Sequence, residues 1–341
     1  MFFSGEIFCG LNLSDGKKHK SICGGKQVKK YVILGGSGFI GRKLVSRLSK
    51  DNYVLVADLT CSPEYEGMKN VSFVKFNFTE EESFAPLLDE TDTIVHLVST
   101  LFAKDGTDNL ASEVSANVIS TIRLLEDMVG TKTNLLFLSS GGTVYGEGGE
   151  LPAVEDDPKH SFCGYALTKT MIEDTLELYK NQHGLRYRTV RLSNPYGFMS
   201  NSNRMQGLIP ILVDRVMQGE PVTIWGDGEN IRDYIFIDDV LDALEAILNY
   251  EGDENIFNVG SGIGYSIHEI LSFVINMLKP ELPPAIQYSP SRKCDVIKNI
   301  LNIEKVTACT GWKPKTGIEE GIELVIREFE SRKRSSLSSL E

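Results

Sequence analysis

Short apolar runs alternate with longer segments of helical spacing from residue 30 to about residue 193 of this 341-residue chain. Runs that are apolar at every position are typical of parallel strands covered on both faces. The pattern predicts strands at residues 31–34, 54–57, 71–76, 93–98, 135–138 and 188–192, and helices at residues 38–48, 114–128 and 165–179. This alternation predicts an α/β fold with a Rossmann-type doubly wound parallel sheet.

The same pattern divides the chain into regions. Residues 29–193 carry the alternation and form the predicted Rossmann domain. Residues 194–330 are less regular, and we expect a smaller mixed C-terminal lobe that binds the substrate, with some of its chain returning to the Rossmann domain. Residues 1–28 lack periodicity and are predicted to be a disordered extension, and the Ser-rich residues 331–341 a frayed tail.

Charge and cysteine content narrow the classes of function. The chain carries 35 Lys and Arg against 47 Asp and Glu, a net charge of −12, which argues against nucleic acid or an anionic membrane as a partner. No apolar run reaches the roughly 18 residues that a membrane span needs, so we expect no membrane insertion. The six cysteines form no Cys-x-x-Cys pair and no cluster with histidine, which predicts no metal site and reduced thiols in a cytoplasmic protein.

A glycine-rich segment connects the first predicted strand to the first predicted helix. Its glycines fit two spacings, Gly36-x-Gly38-x-x-Gly41 and Gly35-x-x-Gly38-x-x-Gly41. Glycines at such a junction let the backbone approach a pyrophosphate, which the helix N-terminus attracts. Asp58 ends the second strand, where a carboxylate would hold an adenosine ribose and repel a 2′-phosphate. The segment therefore predicts NAD rather than NADP, with an ordinary strand-end acid as the alternative for Asp58.

Two further segments carry side chains suited to acid–base chemistry. Tyr165 and Lys169 are four residues apart on a predicted helix and so lie on one face. A nearby ammonium favours the phenolate, which could accept a proton from a hydroxyl group whose carbon loses a hydride. The strand at 135–138 leads into Ser-Ser-Gly-Gly-Thr-Val-Tyr-Gly at 139–146, whose hydroxyls could bond the reacting oxygen. A surface Tyr–Lys pair and an ordinary Ser/Thr turn are the alternatives.

Together these motifs resemble the extended short-chain dehydrogenase/reductases. More closely, they resemble the NAD-dependent sugar epimerase/dehydratase group, whose type member is UDP-glucose 4-epimerase. The resemblance spans about residues 30 to 330. Further matching segments are Arg-Leu-Ser-Asn-Pro-Tyr-Gly at 191–197, Trp-Gly-Asp-Gly at 225–228, Arg-Asp-Tyr-Ile-Phe-Ile-Asp-Asp at 232–239 and Gly-Trp-Lys-Pro at 311–314. The resemblance implies NAD as cofactor and a UDP-sugar as substrate.

The resemblance also assigns roles to matching residues. It implies that Tyr165 is the catalytic base and that Lys169 binds the nicotinamide ribose. The implied cofactor contacts are Gly35, Gly38, Phe39, Ile40, Gly41, Asp58, Asn77, Phe78 and Asn117, with Asn at position 77 where the family usually has Asp. The implied substrate contacts are Asn194, Arg232 and Arg292 at the pyrophosphate, Asp295 at the nucleotide ribose and Asn299 beside the sugar 2-substituent. Surface ion pairs are the alternative for both arginines.

The serine- and threonine-containing loop departs from the family at one position. Family members usually carry the catalytic hydroxyl two residues before Thr-Val-Tyr-Gly, and that position here is Gly141. Relatives with a Gly-Gly pair carry the hydroxyl just before the pair, so the resemblance points to Ser140, with Thr143 as second candidate. Dehydratases have an Asp-Glu pair in this loop and decarboxylases a Glu at the position of Thr143, so both reactions are disfavoured.

These observations predict an isomerase, an NAD-dependent nucleotide-sugar 4-epimerase. Its substrates would be UDP-glucose and UDP-galactose, or the N-acetylated pair, for which the small Asn299 could leave room, and it would act through a transient 4-keto sugar. A nucleotide-sugar 4-keto reductase or dehydrogenase of the same family is the first alternative, and a non-catalytic NAD-binding sensor the second. The resemblance further implies a homodimer formed through helices at residues 113–128 and 165–180.

Overall fold

The computed structural model describes residues 22–23, 26–100, 109–198, 207–291 and 295–338. The chain forms two compact units. Unit 1 comprises Met1–Ser139 and Gly164–Thr189, and unit 2 comprises Ser140–Cys163 and Val190–Glu341. In the described ranges, no helix combines the length and the apolar character that crossing a membrane requires.

Unit 1 contains the alternating strands and helices. Its strands are β1 (Ile22–Cys23), β2 (Lys26–Gln27), β3 (Lys30–Leu34), β4 (Tyr53–Asp58), β5 (Val71–Lys75), β6 (Thr93–His96) and β7 (Asn134–Ser140), followed by β8 (Tyr187–Leu192). Its helices are α1 (Phe39–Leu48), α2 (Ala85–Leu88), α3 (Leu110–Glu113), α4 (Ser120–Met128) and α5 (Gly164–His183). The division between the units falls inside β7 and β8, so each of these strands contributes residues to both units.

Unit 2 contains shorter strands and the remaining helices. Its strands are β9 (Asn194–Tyr196), β10 (Val222–Trp225), β11 (Ile231–Phe236), β12 (Ile256–Val259), β13 (Gly264–Tyr265), β14 (Ile286–Ser289) and β15 (Lys298–Asn299). Its helices are α6 (Leu208–Gln218), α7 (Ile237–Leu248), α8 (Ile267–Leu278), α9 (Glu304–Thr310) and α10 (Ile318–Ser338).

The large parallel sheet has seven strands in the order β12-β8-β7-β6-β3-β4-β5. In its register, Leu34 of β3 lies between Ala57 of β4 and His96 of β6. A smaller mixed sheet in unit 2 has the order β13-β11-β15, with β9 paired to β11. The predicted Rossmann-type parallel sheet with a smaller mixed lobe is therefore confirmed.

Burial of the apolar runs explains why these strands form the centre of unit 1. Leu34, Ile94 and Phe137, on three neighbouring strands, are completely buried in one cluster. Leu124 of α4 and Leu176 of α5 are completely buried in the same cluster, so both helices cover the sheet with their apolar faces. Each such side chain contributes about 1.5–3 kcal/mol of transfer free energy, which makes this cluster a rigid base for the groups at the strand ends.

Several predicted elements differ from the structure at their ends, and α5 extends to His183 where the sequence predicted an end at residue 179. The strand predicted at 93–98 ends at His96. The helix predicted at 114–128 begins earlier, at Leu110, and contains a π-helical turn at Val114–Ile119 between α3 and α4. Hydrophobic spacing does not show this turn, in which the side chain of the buried Asn117 donates a hydrogen bond to the Glu113 carbonyl.

The chain ends and the domain boundary also differ from the sequence-based expectation. Within the predicted disordered extension, β1 and β2 pair in antiparallel fashion, and residues 1–21 and 24–25 lie outside the described residues. α10 continues to Ser338, beyond residue 331 where the tail was predicted to begin, with i,i+4 ion pairs such as Arg334–Glu330 along it. Unit 2 also takes residues 140–163, whereas the sequence suggested a boundary near residue 194 with some of the later chain returning to the Rossmann domain.

Candidate active site

The glycine segment forms a tight turn between β3 and α1. Gly35 has φ +79°, a conformation that favours glycine. A Cβ atom on Gly41 would lie 2.5 Å from the carbonyl oxygen of Gly35, so only glycine fits where the helix passes the turn. α1 has Gly38 as its N-cap residue, which offers no side-chain cap, and its first turn contains no acidic residue. The turn and the uncapped helix N-terminus, where Phe39 and Ile40 lie, therefore fit the pyrophosphate of NAD.

Asp58 lies at the end of β4, beside the glycine turn. One carboxylate oxygen accepts the backbone N–H of Ser37 at 2.9 Å, and the other accepts that of Leu59 at 2.7 Å. These bonds fix the carboxylate but leave acceptor capacity, because two carboxylate oxygens together accept about four hydrogen bonds. The observed position fits the predicted role of holding an adenosine ribose.

Asn77 and Phe78 follow β5. Asn77 Oδ1 accepts hydrogen bonds from the backbone N–H and the hydroxyl of Thr79, at 3.3 and 3.0 Å. The Phe78 ring is buried in the core, with its centroid 5.4 Å from that of Phe84 and 4.7 Å from that of His96. The Phe78 side chain is thus a core group, and only its main chain is left for the predicted cofactor contact.

Asn117 lies in the π-helical turn and is buried. Its Nδ2 donates to Thr100 Oγ1 at 2.6 Å and to the Glu113 carbonyl at 3.0 Å, and its Oδ1 accepts the Thr100 N–H at 3.1 Å. Asn117 therefore fastens the segment after β6 to the helix. Turns of this kind occur frequently at functional sites, and the cofactor contact predicted for Asn117 stays a prediction.

Tyr165 and Lys169 lie one turn apart on α5. The buried Lys169 Nζ donates to the Leu138 carbonyl at 2.9 Å and lies 4.8 Å from the centre of the Phe137 ring. It also lies 5.7 Å from the centre of the Tyr165 ring, within the range of a cation–π contact. Burial lowers the pKa of Lys169 to about 8, and the negative charge of Glu173 opposes this shift. The titratable ammonium of Lys169 thus lies beside the phenol ring of Tyr165.

Two residues behind this pair were not singled out in the sequence. Glu173, one turn beyond Lys169, is buried, and its Oε1 accepts a hydrogen bond from the buried Ser139 hydroxyl at 2.5 Å. His96 is also buried, and burial, with a smaller contribution from Lys169, lowers its pKa to about 3, so it is neutral at ordinary pH. The i,i+4 spacing of Glu173 from Lys169 is the sequence signal that could have indicated its involvement.

In unit 2, the loop that follows β7 carries the two candidate hydroxyls. Ser140 is half-buried at the end of the strand. A Cβ atom on Gly141 would lie 2.9 Å from the Arg191 carbonyl oxygen, so no hydroxyl side chain fits there without a backbone shift. Thr143 is 7% exposed, and its buried Oγ1 has no hydrogen-bond partner in the described part of the chain. Exposure therefore favours Ser140 over Thr143 as the group that reaches a ligand.

A buried network holds this loop in place. Arg191 Nη1 donates to the Tyr145 hydroxyl at 2.9 Å and to the Glu155 carbonyl at 2.8 Å. The Tyr145 hydroxyl donates to Asn258 Oδ1 at 2.6 Å, and Asn258 donates its N–H to Glu155 Oε1 at 2.8 Å. Burial, opposed by Arg191, raises the pKa of Tyr145 to about 12, so this phenol stays protonated and structural.

Three of the predicted substrate contacts of unit 2, Asn194, Arg232 and Asn299, lie on the small mixed sheet. Arg232 of β11 lies opposite Asn299 of β15, and Asn194 of β9 is tied to the same strand by a 3.0 Å bond to the Asp233 carbonyl. Burial lowers the pKa of Arg232, while nearby negative charge from Asp295 opposes the shift. Arg232, Asn194, Asp295 and Asn299 are thus brought into one unit, and Arg292 lies outside the described residues.

Asn299 has a structural contact of its own. It is 1% exposed, its Nδ2 donates to the Gly141 carbonyl at 3.0 Å, and its Oδ1 has no partner in the described part of the chain. Its predicted position beside the sugar stays a prediction, because the observed bond anchors the hydroxyl-bearing loop.

Several residues of the matching motifs make hydrogen bonds within unit 2. Asp233 is completely buried and accepts the backbone N–H groups of Ser261, Gly262 and Leu301. Asp239 accepts two backbone N–H groups from the segment before α10, at Lys315 and Thr316. The indole of Trp312 donates to the Asp239 carbonyl at 3.1 Å. These matches report the fold of unit 2 rather than contacts to a ligand.

Comparisons with known proteins point to one family. The NAD dependent epimerase/dehydratase family matches residues 31–260. The dTDP-4-dehydro-6-deoxyglucose reductase of Escherichia coli is 30% identical over 308 residues, which cover 87% of this chain and 96% of that protein. The structure of UDP-glucose 4-epimerase from Thermotoga maritima with UDP-glucose is 30% identical with a TM-score of 0.81, covering 89% of this chain and 99% of that one. The Thermus thermophilus UDP-glucose 4-epimerase in complex with NAD is 30% identical with a TM-score of 0.79, covering 88% and 99%.

Proposed function

Because this chain belongs to the NAD-dependent epimerase/dehydratase family, we propose that it is a UDP-sugar 4-epimerase. The observation that carries the proposal is the Lys169 ammonium, buried 5.7 Å from the centre of the Tyr165 ring. Such a pair suits removal of a proton from a sugar hydroxyl. The similar structures that are UDP-glucose 4-epimerases support the 4-hydroxyl of a UDP-sugar as the reacting group.

Tyr165 acts as the base in this mechanism. A free tyrosine has a pKa of about 10 and is a weak base at neutral pH, but an adjacent ammonium favours the phenolate. Lys169 supplies that charge, since its own pKa of about 8 keeps it largely protonated at neutral pH. The phenolate accepts the proton of the sugar 4-hydroxyl and later returns it.

NAD, when bound, supplies the reversible hydride acceptance that converts the sugar to its 4-keto form and back. The glycine turn of Gly35, Gly38 and Gly41 holds the pyrophosphate, and Asp58 holds the adenosine ribose. Since the cofactor is regenerated in every cycle, the reaction needs no added NAD. The 4-epimer would form if the hydride returned to the opposite face of the 4-keto sugar.

Ser140 and the substrate contacts complete the proposed roles. Ser140 hydrogen-bonds the 4-oxygen, in preference to the enclosed Thr143. Arg232 neutralises the pyrophosphate, for which a planar guanidinium is suited, and Asn194 donates to the same group. Asp295 accepts hydrogen bonds from the nucleotide ribose. The loop at residues 140–143 carries Ser-Gly-Gly-Thr and no carboxylate, which supports epimerisation over elimination of water.

The test is an assay by proton NMR without added cofactor. Purified protein is incubated with UDP-glucose and, separately, with UDP-N-acetylglucosamine, and the anomeric signals of the sugars are followed. Signals of the matching 4-epimer without accumulation of NADH would support the proposal and identify the sugar. An NAD-loaded protein that converts neither compound would contradict the proposal for both UDP-sugars.

A 4-keto reductase is the second candidate, favoured by the 30% identity to the Escherichia coli dTDP-4-dehydro-6-deoxyglucose reductase. The same Tyr165–Lys169 pair would then donate a proton to a keto oxygen. A reductase consumes one equivalent of reduced cofactor per turnover, whereas an epimerase consumes none. Oxidation of added NADH in the presence of a nucleotide 4-keto sugar, without epimerisation of UDP-sugars, would select this function.

A further inference from the structure

Behind the Tyr165–Lys169 pair, two adjacent residues of β7 bind two residues one turn apart on α5. The Leu138 carbonyl accepts a hydrogen bond from Lys169 Nζ at 2.9 Å, and the Ser139 hydroxyl donates to Glu173 Oε1 at 2.5 Å. Lys169 and Glu173 are four residues apart, so their side chains lie on the same face of the helix. Two hydrogen bonds thus join β7 to α5, one from the Lys169 ammonium and one to the Glu173 carboxylate.

The three side chains that form these two bonds are buried. Lys169 is 4% exposed, Ser139 3% and Glu173 3%. A buried ammonium without a counter-charge is costly and tends to lose its proton. A carboxylate buried without donors is costly for the same reason, and Ser139 supplies a donor to it.

The groups around Lys169 come from three elements, and the charged or titratable ones are Glu173, Tyr165 and His96. Glu173 and Tyr165 lie on α5, His96 lies on β6, and β7 contributes the Leu138 carbonyl and the Phe137 ring. His96 is neutral above about pH 3, so it adds no positive charge in the range of an assay. Glu173 is the group whose negative charge favours the protonated lysine.

We propose that Ser139 and Glu173 form a positioning pair that holds the Lys169 ammonium charged and directed beside Tyr165. This inference rests on the proposed function, since it assumes that Tyr165 is the base. Ser139 fixes the carboxylate, the carboxylate keeps the lysine protonated, and the lysine keeps the tyrosine ionised. Glu173 touches neither substrate nor cofactor in this scheme and acts only through Lys169.

The test compares the pH dependence of kcat for wild type and Glu173→Gln, an isosteric change that removes the charge. Wild-type kcat should fall as pH rises through about 8, where Lys169 loses its proton. In Glu173→Gln this fall should begin about one pH unit lower or more, because an adjacent opposite charge raises a lysine pKa by about that amount. The two enzymes should then differ little near pH 6 and about tenfold near pH 8.5.

Glu177→Gln is the matched control on the same helix. Glu177 is one turn further along, is half-exposed, and accepts a hydrogen bond from the Tyr187 hydroxyl at 2.7 Å. It should keep the wild-type profile. Glu173→Asp keeps the charge, so its pH profile should return most of the way to that of wild type. Ser139→Ala retains the carboxylate and should shift the profile in the same direction as Glu173→Gln, by a smaller amount.

Other outcomes are distinguishable. If folded, NAD-loaded Glu173→Gln and Ser139→Ala both keep the wild-type pH profile while Tyr165→Phe is inactive, the positioning pair is wrong and the proposed function stands. A uniform loss of rate at every pH in Glu173→Gln would also overturn the pair, because it indicates a structural role alone. If Tyr165→Phe keeps the wild-type rate, the proposed function itself fails.

Discussion

In unit 1, the residues of the two principal motifs, the glycine turn and the Tyr165–Lys169 pair, lie within a few positions of one another, although Lys169 and Asp58 are also bonded to residues 31 and 21 positions away. In unit 2, the matching residues are held by partners far along the chain. The bond between Tyr145 and Asn258 joins residues 113 positions apart, and that between Asn299 and Gly141 joins residues 158 apart. The chemistry of a motif in unit 1 therefore follows from the spacing of its own residues, whereas a motif in unit 2 depends on contacts with distant residues of that unit.

The largest effect should follow replacement of the base in unit 1. Tyr165→Phe should lower kcat by about 10²–10⁴-fold, the usual contribution of general acid–base catalysis. Folding and NAD content should remain normal, because the ring is retained. Steady-state assays with UDP-sugar, together with the absorbance of released NAD, measure both. A normal rate would show that Tyr165 takes no part in the reaction. It would also contradict the assignment of catalysis to the motifs of unit 1 and of stability to those of unit 2.

Replacement of Asp233, a motif residue of unit 2, should lower stability rather than act on the chemical step. Asp233→Ala removes the acceptor for buried backbone N–H groups of Ser261, Gly262 and Leu301. It should lower the free energy of unfolding by about 3 kcal/mol, since unsatisfied buried donors cost about 1–3 kcal/mol each and partly relax. Urea titration measures this loss, with the exposed Asp253→Ala as control. A folded Asp233→Ala protein with wild-type stability and greatly reduced kcat would contradict the structural assignment.

The glycine turn should lose its cofactor before it loses its fold. Gly41→Ala places a Cβ atom 2.5 Å from the Gly35 carbonyl oxygen and 2.6 Å from that of Gly36. Relief of this overlap should cost about 2 kcal/mol and displace the turn that we propose binds the pyrophosphate. The purified variant should contain less NAD than wild type when its cofactor is quantified after denaturation. Gly149→Ala, where a Cβ meets nothing within 4 Å, should retain full NAD content.

The smallest effect is expected in the network that supports the hydroxyl-bearing loop. Tyr145→Phe removes the hydroxyl that bonds Arg191 and Asn258 but keeps the ring, whose centre lies 5.0 Å from the Arg191 guanidinium carbon. The free energy of unfolding should fall by about 1 kcal/mol. The pH profile of kcat should not move, since this phenol stays protonated below pH 12 or so. A shift of that profile would show that Tyr145 takes part in proton transfer.

The contrast between the units also explains what the sequence could predict. Strand and helix periods, the glycine spacing and the i,i+4 relation of Tyr165 to Lys169 are local, so they predict the sheet and the cofactor half of the site. The π-helical turn at Asn117 and the burial of the Phe78 ring were not predicted, because periodicity reports neither the bonds of Asn117 to Thr100 nor the packing of Phe78 against other rings. The choice between Ser140 and Thr143 likewise needed the exposure of each side chain, which the sequence does not report.

The central claim is that a hydride leaves and returns to C4 of the same UDP-sugar while Tyr165 moves the hydroxyl proton. The most direct measurement uses UDP-glucose and UDP-N-acetylglucosamine that carry deuterium at C4, without added cofactor. A transferred hydride does not exchange with water. We predict that NMR will show the 4-epimer of one of these sugars with deuterium retained at C4. Exchange of this deuterium for solvent hydrogen, or no conversion of either sugar by NAD-loaded protein, would contradict the account.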